Sequence, residues 1–210
     1  MKFDRRRFVG SVFALAALST APAFAQTAGR DYTAIVPPQP SEEAGKIEVL
    51  EFFSYGCPHC ADFNPLLSAW AAKLPADVVL KKVPVTFGRA AWANIARLFY
   101  TLEILGESAR LEGDVFRAIQ NERVNLFDEK TLNEWVAKKG VDAKKFADTF
   151  SSFGVQSRVR RADQMAQAYK ITGVPALAVD GKYLVGGKDF GEALAITDKL
   201  IARARAERKK

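Results

Sequence analysis

Lys46-Ile-Glu-Val-Leu-Glu-Phe-Phe-Ser-Tyr-Gly-Cys-Pro-His-Cys60 decides the fold by the order of its residue types. Lys46 to Phe53 is a short, apolar, β-prone run, which reads as a buried strand. Ser54-Tyr55-Gly56 breaks it. Beyond the break, Phe63, Leu66, Leu67, Trp70 and Leu74 recur at helical spacing. A helix is therefore expected from Cys57 to about Lys73, kinked at Pro65. Val78 to Val85 reads as the next strand. The unit is β-α-β, with two cysteines at the strand-to-helix corner.

From Arg89 to about Lys170 the pattern is helical. Trp92, Ile95, Ala96, Phe99, Leu102 and Leu105 form one stripe, and Val115, Phe116 and Ile119 a second. Thr131-x-x-Glu134 has the form of a capping box and Gly140 that of a helix stop. Helices over Asp142–Phe150 and Val155–Tyr169 complete the block. After Gly173-Val174-Pro175, β character returns from Ala176 to Val185, with Asp180-Gly181 as a two-residue hairpin signal. A last helix runs from about Phe190 to Arg205. Upstream, residues 26–45 carry Pro37, Pro38 and Pro40 and read as an extended leader with little regular structure. The expected organisation is thus a leader (26–45), a first α/β part (46–88), an inserted all-helical domain (89–168) and a second α/β part (169–210). Without the insertion, the order is that of a four-stranded α/β sandwich of the thioredoxin type.

Composition sets the outer limits. The chain has 210 residues, 49% apolar and 26% charged, enough for a core without a disulfide scaffold. Gly at 14 and Pro at 9 exclude collagen-like and Pro-rich disordered chains. Two cysteines, Cys57 and Cys60, exclude a Cys-dense miniprotein and supply half of a four-ligand zinc site. Residues 1–25 stand apart. Lys2, Arg5, Arg6 and Arg7 precede an uncharged stretch from Phe8 that ends in Ala23-Phe24-Ala25. This is the form of a cleaved secretory signal peptide, with a membrane anchor as the alternative. Arg5-Arg6-Arg7-Phe8 also loosely resembles a twin-arginine export signal. Export brings the cysteines into an oxidising space, the periplasm. The formal charge of +7 loses four cations and one acid with these residues, leaving +4. That excess does not call for nucleic acid; its densest piece, Arg203 to Lys210, closes a helix and offsets the dipole.

The chemistry concentrates at Cys57-Pro58-His59-Cys60. Cysteines three apart in a first helical turn face the same way, within reach of a disulfide. Cys57 sits where unsatisfied N–H groups and the positive dipole end converge, which favours a thiolate. Cys60, one turn in, is expected to be more buried and to resolve rather than attack. Pro58 suits an early position because its missing N–H has no partner there. His59 adds a donor or a positive charge beside the first sulfur. Each unit taken off a thiol pKa is worth ~1.4 kcal/mol of thiolate stabilisation. A fall of about four units moves a two-electron potential by on the order of 100 mV, enough to turn a reductant scaffold into an oxidant. Two further places invite attention. Val174-Pro175 is open to the cis state, which presents the Val174 backbone edge to a peptide; a trans proline at a strand start is the alternative. Glu51 interrupts an apolar strand: buried under Cys60 it moves a proton, with Lys82 as its partner, while surface or edge placement is equally compatible. An inert structural disulfide and a Cu(I) or zinc site built on Cys57, His59 and Cys60 are the rival readings.

Glu51 through Cys60, Gly173-Val-Pro-Ala176 and Val179-Asp-Gly-Lys-Tyr183 together resemble the DsbA family of periplasmic thiol:disulfide oxidases. The resemblance runs from about Lys46 to the C-terminal helix, with different loop lengths after Val85. It implies a thioredoxin fold with a helical insertion, a cis Pro175, Cys57 as exposed nucleophile and Cys60 as its buried partner. It also implies Glu51 and Lys82 as a buried pair beneath the site, and no cofactor beyond the Cys57–Cys60 redox disulfide. The implied partners are unfolded exported polypeptides and a DsbB-like quinone reductase of the inner membrane; a monomer is expected. In the expected reaction a client thiolate attacks Cys57, and Cys60, deprotonated with help from Glu51, resolves the mixed disulfide. A disulfide isomerase or a client-specific reductant is the alternative within the enzyme class, although residues 26–45 are too short for the isomerase's dimerisation domain. A copper or zinc metallochaperone is the alternative outside it.

Overall fold

The computed structural model describes residues 26–43 and 45–209; the signal-peptide reading at 1–25 lies outside the described residues. The elements in chain order are β1 (Tyr32–Ala34), β2 (Ile47–Phe53), α1 (Pro58–Ala71), β3 (Val78–Pro84), α2 (Ala90–Ile104), α3 (Ser108–Gln120), α4 (Glu129–Lys138), α5 (Ala143–Phe150), α6 (Phe153–Ala168), β4 (Ala176–Val179), β5 (Tyr183–Val185) and α7 (Phe190–Arg208). The sheet runs β1-β5-β4-β2-β3, with β2 parallel to β3 and antiparallel to β4. This is the thioredoxin arrangement, with five helices inserted between β3 and β4.

Every residue of β2 is buried, because the strand is flanked by β4 and β3 and both of its faces are covered. Strand alternation sorts its side chains. Ile47 and Val49 pack with Phe63 and Leu67 of α1 and Ile196 and Leu200 of α7. Leu50 and Phe52 pack on the other face with Ala162 and Ala166 of α6. Phe53, at the end of the strand, joins Leu98, Phe99 and Leu102 of α2 and Val115 and Phe116 of α3. Each such buried side chain contributes about 2 kcal/mol over an exposed one. By the same alternation Glu51 falls on the α1 face, and the parallel register sets it beside Lys82 of β3.

Three local expectations are corrected. The sheet has five strands rather than four: the leader, otherwise with little regular structure, adds Tyr32–Ala34 as an edge strand on β5. Three residues among prolines are too short for a periodicity signal; what holds them is the hairpin, through Ile35 N–H to Lys182 O (2.8 Å), Gln39 N–H to Gly181 O (2.9 Å) and the Tyr32–Tyr183 edge contact. The cap of α4 is Asp128, whose carboxylate accepts from Thr131 N–H, so the helix opens before the Thr131 capping box. Aspartate competes better than threonine for that role. The hairpin has three loop residues, since Val179 pairs with Tyr183; Asp180 and Gly181, both with positive φ, are followed by Lys182. The helix α1 runs through Pro65 as one element.

Gly181 has φ +64°, and a Cβ there would run into the backbone carbonyl of Gln39. Gly140 has φ +79° but open space around it. Gly181→Ala is therefore expected to cost about 3 kcal/mol in urea unfolding, and Gly140→Ala about 1 kcal/mol. Equal costs would contradict the docking of the leader on the hairpin.

Candidate active site

The corner between β2 and α1 is held from several sides. Cys57 is the N-cap of α1, in extended conformation, and Pro58 takes the first helical position. The Cys57 N–H donates to Ser54 O (3.0 Å), while its carbonyl accepts from Cys60 and Ala61 N–H. Gln120 of α3 donates to Tyr55 O (2.8 Å), and the Tyr55 ring meets Phe53 and Phe116 edge-on. At Gly56 a Cβ would press on Trp92 Nε1, Ile95 and Phe127, so only glycine lets α2 come this close to the turn. No side chain caps the helix start. The orphan N–H groups thus remain available to a negative Cys57 sulfur.

Both cysteines are free, the dithiol state. Cys60 has no exposed surface, and burial pushes its thiol far up, with Cys57 and Glu51 pushing the same way and a Ser54 backbone hydrogen bond opposing. Cys57 is 8% exposed. The order of accessibility is as expected, but the "exposed" nucleophile is corrected to a narrowly open one. Its cover is Val174, whose carbonyl accepts from Cys57 Sγ at 3.4 Å. The Val174–Pro175 peptide is cis. Beside it lies a groove of about 350 Å³, lined among others by His59, Phe63, Val174, Pro175, Leu184 and Phe190. Pro58 and His59 are exposed on the first turn.

Beneath the cysteines Glu51 is 1% exposed and pairs with Lys82 Nζ at 3.3 Å, without hydrogen-bond alignment. Lys82 is better served by two residues that the sequence did not mark: Asn64 Oδ1 of α1 at 2.7 Å and Glu112 Oε1 of α3 at 2.8 Å. Asn64 lies one turn past Cys60 and was legible as a helical neighbour; Glu112 comes from the insertion, and no local pattern links it to the site. Burial pushes the Glu51 carboxyl up to about 7, with Lys82 opposing and Glu112 adding to the rise. Among the described residues no group of three or more His, Cys, Asp or Glu is gathered for a metal.

An acid at about 7 when folded, against 4.5 as an ordinary glutamate, keeps its proton longer in the folded chain. Folding stability is then lost as pH rises from about 4.5 to about 7, by up to about 3 kcal/mol. Glu51→Gln cannot ionise. It is expected to match the parent near pH 4.5 and to exceed it in urea unfolding at pH 8; a difference that does not change with pH contradicts the buried, protonated carboxyl.

The family model of the DSBA-like thioredoxin domain matches residues 48–195. The thiol:disulfide interchange protein DsbA of Bordetella parapertussis is 47% identical over 189 residues, covering 88% of this chain and 90% of that one. The protein of the same description from Pseudomonas aeruginosa is 40% identical over 88% of each. The crystal structure of Pseudomonas aeruginosa DsbA superposes with a TM-score of 0.84 at 39% identity, covering 88% of this chain and 97% of that one. The oxidoreductase NmDsbA1 of N. meningitidis does so with a TM-score of 0.79 at 30% identity, over 88% and 96%. With its cysteine pair at the start of α1 and its thioredoxin sheet, the chain belongs to the DsbA family of thiol:disulfide oxidoreductases.

Proposed function

We propose that the chain donates its Cys57–Cys60 disulfide to unfolded polypeptides exported to the periplasm, and that a DsbB-like quinone reductase of the inner membrane re-oxidises it. The observation that carries this reading is the asymmetry of the two sulfurs. Cys57 stands at an uncapped helix start beside an open groove, whereas Cys60 is sealed and its thiol is pushed up by burial. In the dithiol form the uncapped helix start leaves its N–H groups to the Cys57 sulfur, while burial keeps Cys60 protonated, which makes the disulfide the reactive state.

Donation begins when a client thiolate attacks Cys57 Sγ. The Cys57–Cys60 bond breaks, and the Cys60 sulfur leaves with the electron pair and takes a proton from Glu51. A second client thiolate then attacks the client sulfur of the mixed disulfide, releasing Cys57 as thiolate. Two electrons pass from client to protein. Electron balance thus moves the resolving role expected of Cys60 to the other half of the cycle: during re-oxidation Cys57 attacks the partner's disulfide, and Cys60, giving its proton to Glu51, closes on Cys57. Lys82 balances the charge left on Glu51. The Val174 backbone and the groove beside it suit an extended client held by main-chain contacts. His59, on the first turn, lends a donor toward the Cys57 sulfur.

Cys60→Ser is expected to accumulate a covalent mixed disulfide when mixed with a disulfide-bonded unfolded polypeptide, and Cys57→Ser to accumulate none, as read on a non-reducing gel. Equal trapping by the two variants would overturn the assignment of roles.

A further inference from the structure

Two carboxylates, Glu51 of β2 and Glu112 of α3, face the single Lys82 ammonium, and the outer one has the better geometry. Glu112 meets Lys82 at 2.8 Å, whereas Glu51 lies at 3.3 Å and is not aligned. Asn64 fills a third donor direction of Lys82 at 2.7 Å. Lys82 and Glu112 are 14% and 19% exposed in their side chains, against 1% for Glu51. Both line a second groove, of about 1280 Å³, which shares no lining residue with the groove beside Cys57. The Lys82–Glu112 pair thus opens on a different side from the groove beside Cys57.

We propose that Glu112 is a positioning residue for disulfide exchange: by binding the Lys82 ammonium it sets the pH at which Glu51 exchanges its proton with Cys60. This rests on the role given to Glu51 above. The groups that face Glu51 are Lys82 on β3, Glu112 on α3, Cys60 and the neutral Asn64 on α1, and the buried Tyr55 hydroxyl in the turn; across the sheet its partner on β4 is the apolar Leu177. Of these, Lys82 alone is a cation. Whatever part of its field Glu112 neutralises is lost to Glu51, and in a low-dielectric interior that loss is felt strongly. Burial and the nearby Glu112 both raise the Glu51 carboxyl, and Lys82 opposes them. In the closing step a mixed disulfide at Cys57 is broken: Cys60 Sγ gives its proton to Glu51 and attacks Cys57 Sγ, the Cys57–Cys60 bond forms, and the other thiol leaves as thiolate with the electron pair.

The test is a pH profile of that step. Glutathione is first loaded onto Cys57 as the mixed disulfide, and its release by Cys60 is followed by acid quench and mass spectrometry from pH 5 to 9. The parent is expected to show an inflection near pH 7. Glu112→Gln, which removes the competing charge, is expected to move it down by about one unit, a tenfold faster release at the low-pH end. Asn64→Asp, which adds a second competing charge at Lys82, is expected to move it up. Glu51→Gln is expected to abolish it. An inflection lost in Glu51→Gln but unmoved in the other two variants overturns the role of Glu112 while leaving Glu51 in place. An inflection that survives Glu51→Gln removes the reading of Glu51 itself, and this proposal with it.

Discussion

Seven consecutive buried residues make β2 a strand that cannot slide or turn without exposing a core face. Phe53, at its end, is locked between α2 and α3, so the turn Ser54-Tyr55-Gly56 begins from a fixed point. The next residue is the first sulfur. Because the strand is rigid and the turn is pinned by Gln120 and by the closeness of Trp92 to Gly56, the N-terminus of α1 arrives at one place, under the Val174 carbonyl. The chemistry follows from that arrival: one sulfur at the uncapped end of a helix, the other one turn inside the core.

The same rigidity explains why two acids are tolerated in the centre of the sheet. Glu48 and Glu51 are both buried, three residues apart on one strand, and alternation sends them to opposite faces. Glu48 finds Lys81 and Glu51 finds Lys82, successive residues of β3 that alternate in the same sense. Only the face covered by α1 carries cysteines, so only Glu51 lies near a thiol. An apolar residue would stabilise this position more. An acid raised to about 7 by burial fits the proton exchange proposed for Glu51.

Much of this was legible in the chain. The apolar run before Cys57, the helical spacing after it and the hairpin signal at Asp180-Gly181 mark the β-α-β and β-β-α halves because each depends on local periodicity. The cysteine pair declares itself by spacing and context. The features that escaped depend on tertiary contact. The strand at Tyr32–Ala34 exists because the hairpin offers it an edge. The Asp128 cap competes with an equally plausible local pattern at Thr131. Glu112 reaches Lys82 only because α3, thirty residues downstream, packs on α1. Burial is also a property of the assembled fold, and so the resemblance alone gave Cys57 more exposure than the Val174 cover permits.

The central claim is that the dithiol is the more stable partner of the couple, because the uncapped start of α1 offers its N–H groups to the Cys57 sulfur while burial keeps Cys60 protonated. Its most direct test is equilibration of the purified protein with reduced and oxidised glutathione, followed by alkylation and mass measurement of the two forms. The claim predicts that the dithiol remains the main species in buffers where most of the glutathione is oxidised, which marks a couple more oxidising than glutathione itself. A protein found mainly as the disulfide in strongly reducing glutathione, with a potential near the thioredoxin value of about −270 mV, would contradict it.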